Sequence, residues 1–518
     1  MFTIRQSLQL GRQCLLAWLD SERQWFPTGG YEVAHDTGRW WDAMLRLEAA
    51  TGDPIPADIE AAMLQNLQAL LANPDGLLLN LPDEALMGAP AFINPHNLRE
   101  GMLALNALVR YRGSEWAAAA GHRLLETLDR CFQPDGRFDY TRLACWGKLP
   151  LTEDPCHLQP AEAPWFDATA NSGRAIEAIV WFYEATGDPL ALDVAERFAR
   201  HHLANTVHAD GSPRREILDS ENVGHNHSYL GTLRGLLLFG LLTRQDEYVD
   251  AVAATYRQTL FEHHATESGW TPHDLGKTRF PNDAGDPVGE TASCGDVAQI
   301  ALWLALRAGQ TDLLDDVERL VRSRLLPAQI TPLDAEDPAN AEASLGARQL
   351  GGWGAYARPF TKGCILDVAA AVLHTLTDVN ASIATQDPMG LTVNLHLSAD
   401  TPLGEIVSVR EEDAVLTVRP YARENLLVRV PVWAPRDSIE LSVDGNAQPA
   451  RFIGPWLFVA REALRAGSRI ELRHELPART TVEAWPSGCS YRLHWRGDQV
   501  MAVAPRDTPL PMYPSTEA

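Results

Sequence analysis

The residue types able to do chemistry in this sequence gather in six short clusters. They are His35-Asp36-Thr37-Gly38-Arg39-Trp40-Trp41, Asn94-Pro95-His96-Asn97-Leu98-Arg99-Glu100, Trp165-Phe166-Asp167 running on to Arg174, Gly224-His225-Asn226-His227, Glu290-Thr291-Ala292-Ser293-Cys294-Gly295-Asp296 and Lys362-Gly363-Cys364-Ile365-Leu366-Asp367. Each opens an apolar run with helical spacing. Helix capping accounts for one Asp, Asn or Ser per cluster. It does not account for imidazole, guanidinium, thiol and indole groups recurring beside the cap. The clusters are therefore expected to line one shared polar pocket. Aromatic faces beside carboxylates are how a protein grips a sugar, the rings taking C–H faces and the polar groups taking hydroxyls. Substrate contacts are expected from Asp36, Arg39, Trp40, His96, Asn97, Trp165, Asp167, Arg174, His225 and His227.

Cleaving a glycosidic bond needs a proton donor on the leaving oxygen and a base or nucleophile on the other side. Glu290, Asp274, Asp36, Asp167, Asp296 and Asp367 are the carboxylates placed for it. Burial at the entrance of an apolar helix is expected to raise the pKa of Glu290, opposed by the helix dipole and by Arg39 or Arg174. Cys294 and Cys364 stand at helix entrances, where the dipole favours thiolate. Each is readable as a metal ligand, a nucleophile or a small apolar residue. Glu290 and Cys294, four apart, share a helix face; Cys364 would complete a three-ligand set acceptable to zinc. His225 and His227 point to different sides of a helix and make a poor chelate, so substrate hydrogen bonding is the preferred reading. Nucleotide-binding glycine loops and the serine-hydrolase elbow are absent from the sequence.

The elements that must position these clusters follow from a repeat. Gly52, Gly113, Gly187, Gln245 and Gly309 mark helix ends at intervals of roughly 60 residues, glycine being the residue that turns a helix end without strain. One helix precedes each marker and another follows it. The first set falls at roughly 36–50, 96–111, 168–185, 225–242, 291–307 and 364–377; the second at roughly 3–20, 57–72, 114–131, 189–205, 246–262 and 311–326. The first set is apolar almost all round and the second keeps a charged face. Six plus six in alternation predicts an (α/α)6 toroid over residues 1–385. Period-2 patterning between turn signals then predicts an antiparallel β-sandwich of about eight strands over 388–505, followed by a tail at 506–518. Residues 328–362 read as a long loop over the toroid mouth.

The chain has 518 residues and a formal charge of −24, which argues against nucleic acid and against an anionic membrane as partners. The N-terminal segment lacks a signal peptide's unbroken apolar core, and no run is long enough to span a bilayer. Seven scattered cysteines read as reduced thiols, so the expected location is cytoplasmic. A carbohydrate is the expected partner, and a homodimer is compatible with the sequence.

Several stretches resemble the β-L-arabinofuranosidases of glycoside hydrolase family 127. They are Pro287-Val288-Gly289-Glu290-Thr291-Ala292-Ser293-Cys294 with Leu325-Leu326-Pro327-Ala328-Gln329, Gly363-Cys364, Gly390 to Leu397, and Leu427 to Ala434 with Asp444-Gly445. The resemblance implies a toroid with β-sandwich domains, zinc on a glutamate and three cysteines (one of them the nucleophile), and a separate glutamate as acid/base. Glu290 then matches the zinc-ligand glutamate, Cys364 one of the paired cysteines, and Asp274 the acid/base position. Ala292 stands where the family has a zinc cysteine, and Gly363 and Ile365 flank Cys364, so the four-ligand set is broken. Either zinc is held differently or the chemistry runs on carboxylates without metal; the second is the expectation. The catalytic residues are taken as Glu290, Asp274 and Cys364, in an exo-acting hydrolase that releases a terminal sugar. The alternatives are a sugar epimerase or lyase using His225, His227 or His96 as base, and a catalytically decayed carbohydrate-binding protein.

Overall fold

The computed structural model describes residues 3–28, 30–80, 93, 96–134, 136–139, 172–218, 224–275, 288–336, 346–484, 490–506 and 510–514. Trp165 and Asp167 lie outside the described residues.

Helix ends fall where the glycine markers place them. Gly52, Gly113, Gly187 and Gly309 all take positive φ, and Arg244 does so beside the Gln245 marker. Each turns the chain back on itself, which glycine does without a Cβ penalty. Twelve principal helices alternate through the described residues: α1 (Ile4–Ala17), α2 (Val33–Thr51), α3 (Ala57–Leu70), α4 (Asn97–Arg112), α5 (Glu115–Arg130), α6 (Ser172–Thr186), α7 (Pro189–Asn205), α8 (Asn226–Thr243), α9 (Asp246–Ala254, carried on to His263), α10 (Thr291–Arg307), α11 (Leu314–Leu320, carried on to Leu325) and α12 (Leu366–Ser382). The even-numbered helices pack in the order α2, α4, α6, α8, α10, α12 and back to α2, which closes the inner ring. The odd-numbered helices lie outside them. Burial follows: Leu233, Leu236, Leu237 and Phe239 of α8 have no exposed face, whereas α5 and α7 bury one stripe each.

Three two-stranded antiparallel ladders sit at the inner-helix entrances. They are β1 (Leu19–Asp20) with β2 (Phe26–Pro27), β3 (Gly224–His225) with β4 (Asp274–Leu275), and β5 (Gly289–Glu290) with β6 (Ala355–Ala357). The segment read as a bare loop over 328–362 thus contributes β6 and one helical turn, Pro332–Glu336, among its described residues.

The β region starts at Ala384, earlier than the sequence pattern indicates, and holds more strands than the eight expected. A six-stranded sheet combines β9 (Ala399–Thr401), β10 (Gly404–Arg410), β11 (Asp413–Pro420), β13 (Glu440–Val443), β14 (Asn446–Gln448) and β17 (Ile470–Glu475). A five-stranded sheet combines β7 (Ala384–Asp387), β8 (Gly390–Val393), β12 (Leu426–Arg429), β15 (Phe452–Ile453) and β16 (Trp456–Val459). β18 (Ala478–Ala484), β19 (Ser490–Arg496) and β20 (Gln499–Ala504) form a third. Among the described residues the pairing is antiparallel except between β8 and β12. Residues 510–514 of the expected tail are not free: Met512 N donates to Phe360 O at 2.8 Å, and the Tyr513 hydroxyl donates to Ser323 O.

A charged seam joins the helical and β regions. Arg429 donates to Asp315 and Glu318, Arg322 to Glu318 and to Asp498 (2.9 Å), and Arg410 to Asp498 (2.5 Å). A cavity of about 1000 Å³ lies along the same seam, bordered by Arg322, Lys362, His396 and Arg410.

Candidate functional site

The polar residues at the inner entrances are not there to cap helices. The N-cap residues of α2, α4, α8, α10 and α12 are Glu32, His96, His225, Glu290 and Ile365, and none makes a side-chain capping bond. On outer helices α1, α5 and α7, Thr3, Ser114 and Asp188 do make that bond. The side chains of the inner set turn toward one another instead.

Glu290 stands at the centre. Its Oε2 lies 2.8 Å from His225 Nε2 and 4.0 Å from His273 Nε2. His225 Nδ1 lies 2.9 Å from Ser228 Oγ, and His273 Nδ1 lies 2.9 Å from Asp274 Oδ1. Both imidazoles are therefore fixed by a second partner and turn their Nε2 toward one carboxylate. The backbone enforces this. His225 and Asp274 are cross-strand partners, Asn226 N donates to His273 O, His273 N to Val288 O and Glu290 N to Thr271 O. His96 lies over His225 with near-parallel rings whose centroids are 6.5 Å apart, and His35 is 6.3 Å from His96.

Beneath this cluster runs a belt of buried ion pairs that links facing inner helices. Glu100 takes Arg39 at 3.2 Å and Arg174 at 3.0 Å; Glu177 takes Arg99 at 2.9 Å and Arg234 at 2.8 Å. Asp296 takes Arg234 at 2.6 Å and His227 Nδ1 at 2.5 Å, and His227 Nε2 meets Arg39 at 2.8 Å. Removing one member of such a belt leaves an unpaired buried charge.

The electrostatics separate the carboxyl groups. Burial alone would push Glu290 up, yet the charge and hydrogen bond of His225, with His227 and His273 behind it, hold its carboxyl well below the ordinary range. The expectation of a raised Glu290 pKa is corrected on this ground: the imidazoles beside it outweigh its burial. Burial pushes Asp367 up, and the charge of Glu290 adds to this against the pull of Arg39. Burial works against His273, but its bond to Asp274 and the charges of Asp274, Glu290 and Asp367 raise it overall. Burial takes His35, His96 and His227 well below the ordinary imidazole value, helped by the surrounding arginines. Arg174 falls to about 10 through burial and its neighbours Arg99 and Arg39.

No family model matches the sequence, and no curated protein matches it. Solved structures do match in shape. A β-L-arabinofuranosidase of glycoside hydrolase family 127 from Geobacillus stearothermophilus T6 superposes with TM-score 0.58 at 13% identity, covering 96% of this chain and 80% of that one. Another family 127 β-arabinofuranosidase gives 0.59 at 14% identity over 95% and 78%. A chain described as a glycoside hydrolase gives 0.57 at 15% identity over 90% and 77%. The fold is that of the family 127 β-L-arabinofuranosidases. At these identities the likeness concerns the fold, and the chemistry rests on the residues of this chain.

Within that family 127 fold the expected residues separate into three groups. Glu290, Asp274, His225, His96, Arg39 and His227 share one connected cluster and its belt, and Arg174 joins the belt through Glu100. Asn97 borders it, buried, and neither amide atom has a hydrogen-bond partner among the described residues. Asp36 and Trp40 do other work. Asp36 accepts from Tyr31 N at 3.3 Å and closes against Gly30, so it braces the entry loop. Trp40 is fully buried, edge-on to Trp41 at 5.3 Å, and is a core residue with no face for a sugar.

The cysteines do not assemble with Glu290. Cys364 Sγ lies 4.0 Å from Cys14 Sγ, and that neighbour together with burial pushes its thiol up, away from thiolate. Cys294 is buried near Gly269, its pKa pushed up to about 12 by burial. Neither is poised as a nucleophile. Among the described residues, the group whose ligating atoms fall within 4.8 Å of one another is His225, His273 and Glu290. Sequence reasoning missed His273, Glu177 and Arg234. His273 carried one signal, adjacency to Asp274; Glu177 and Arg234 sit inside helical runs and carried none.

Proposed function

We propose that the cluster at the inner entrances is the active centre of a carbohydrate-processing enzyme that releases a terminal sugar by cleaving a glycosidic bond. The observation that carries this reading is the gathering of carboxyls and imidazoles at one entrance, Glu290 Oε2 2.8 Å from His225 and 4.0 Å from His273, and Asp367 3.9 Å from His35, with burial and charge displacing Glu290 downward and Asp367 upward. Pairs of titratable groups pushed apart by their surroundings mark acid and base. Asp367, whose side chain is 17% exposed and whose burial favours the protonated form, is the group that hands a proton to the leaving oxygen. The Glu290–His225–His273 group, ionised at its centre, takes a proton from the attacking water. Asp274 acts through His273, which it orients. Asn97, with its unpaired amide, and His96 meet sugar hydroxyls, and a carbohydrate is the natural partner.

The test is an aryl glycoside panel with the product anomer read by NMR. At least one glycoside should be cleaved, with Asp367→Asn losing about a hundredfold or more in kcat.

One observation favours a second reading. His96 and His225 stand with ring centroids 6.5 Å apart at the same entrance, the pair of imidazoles that an epimerase would use as acid and base. Solvent deuterium entering a free aldose at C2, with no glycoside cleaved, would select it.

A further inference from the structure

We propose that His225, His273 and Glu290 form a divalent-cation site, with zinc as the metal whose chemistry fits the donors. Tetrahedral zinc takes imidazole nitrogen and carboxylate oxygen at roughly 2.0–2.2 Å, which sets ligand atoms about 3.3 Å apart. The two Nε2-to-Oε2 distances, 2.8 and 4.0 Å, straddle that value, and all three ligand atoms lie within 4.8 Å of one another. Small side-chain adjustments bring them into register.

Two further features distinguish this from an ordinary buried ion pair. Each imidazole is anchored at Nδ1, His273 by Asp274 and His225 by Ser228, which directs both Nε2 atoms at the same carboxylate oxygen. A carboxylate on the far nitrogen of a ligating histidine is the common arrangement around protein-bound metals. The three donors also come from backbone segments tied directly together: Asn226 N to His273 O at 2.9 Å, and Glu290 N to Thr271 O at 3.2 Å. Three protein ligands leave a position open, as in catalytic rather than structural zinc sites. The donor set owes nothing to Cys294 or Cys364. It also differs from the glutamate-and-cysteine set that the sequence resemblance implied, sharing only Glu290.

The inference deepens the cleavage reading by naming what would hold the water, since a bound divalent cation lowers the pKa of its water. It rests on that reading for the role alone, because binding is measured without substrate. Chelator-stripped protein is dialysed against zinc alone and its metal counted by elemental analysis; cobalt(II) substitution supplies a visible spectrum. Wild type should retain one equivalent per chain. His225→Ala, His273→Ala and Glu290→Gln should each lose it, and Cys294→Ser and Cys364→Ser should keep it. Asp274→Asn, which removes only the orienting carboxylate, should weaken zinc by about 10–100-fold; it serves as the decisive variant if an alanine variant fails to fold. Wild type retaining no zinc, zinc kept without both histidines, or zinc lost in Cys364→Ser would overturn the proposal. Zinc bound as described with no glycoside cleaved sinks the cleavage reading and leaves the site standing. Cleavage by a chain that binds no zinc does the reverse.

Discussion

Two buried charge networks in this molecule are built from the same residue types and differ in the polar groups that stand beside their ion pairs. At the seam between helices and β region, Arg429, Arg322 and Arg410 meet Glu318, Asp315 and Asp498, and each carboxylate accepts from at least one guanidinium. At the inner-helix entrances Asn97 Nδ2 and Oδ1, His35 Nδ1 and Ser293 Oγ are buried without a hydrogen-bond partner among the described residues. A buried polar atom left without a partner costs about 1–3 kcal/mol, so a fold keeps such atoms where something else uses them. The seam joins the helical and β regions; on the function proposed above, the unpaired groups of the entrance cluster are those a ligand with its own hydroxyls would meet.

The sharpest way to break this contrast is to remove one charged group from each network. Glu290→Gln is expected to lower kcat by about 10²–10⁴-fold while the protein stays folded by circular dichroism. Arg429→Met should do the opposite. It strands Asp315 and leaves Glu318 with Arg322 alone, costing about 3–5 kcal/mol of stability in urea titrations with kcat of the folded enzyme unchanged. Equal loss of activity in both variants would erase the distinction.

Titration should separate the networks as well. Glu318 is held below its ordinary range by Arg429 and Arg322 against the penalty of burial. Its contribution to stability is therefore present above the unfolded glutamate value of about 4.3 and is lost as pH falls through the lower folded value. Asp367 has the opposite sign. Its raised folded pKa gives a contribution fully present below the unfolded aspartate value of about 3.9 and lost as pH rises through the folded one. Turnover should fall as pH climbs through that same raised value. Unfolding followed from pH 3 to 8 checks the first part; a kcat profile whose upper limb disappears in Asp367→Asn checks the second.

Two milder variants sharpen the boundary of the site. Asp274→Asn acts only through His273 and should cost kcat at the low end of acid–base effects, about a hundredfold. Trp40→Phe should leave KM within about twofold and lose ~1–3 kcal/mol of stability, as a core substitution does. A KM effect without a stability effect would return Trp40 to the sugar-binding surface.

The toroid was legible in the sequence because its signals are local. A glycine past each helix end and an apolar stripe or full apolar girth report on one helix at a time, and those residues are where the helix ends and rings are found. The shift to period-2 patterning near Pro388 located the β region to within a few residues. It undercounted the strands because two-residue ladders and short edge strands leave too little pattern to detect. Membership of the entrance cluster was partly legible: Glu290, His225, His96 and Arg39 stand in polar clusters before apolar runs, a local signal again, while Asp274 lies outside them.

Which of them touch was not legible. His225 was weighed against its neighbour His227, two residues along, yet its partners are Glu290 and His273, 65 and 48 positions away, brought in by the closed ring and the short β3–β4 and β5–β6 ladders. Cys364 and Cys294 looked like ligands by spacing, and only the packing shows them turned toward Cys14 and toward Gly269. Protonation went the same way. The charge on Glu290 follows from the imidazoles that surround it, and those neighbours exist only once six helices meet at one end of a barrel. Sequence alone determined the helices, their alternation and the residues at their mouths. Tertiary structure decided the pairings and the direction in which each carboxyl is shifted, because Coulomb and hydrogen-bond energies depend on distance in space and not along the chain.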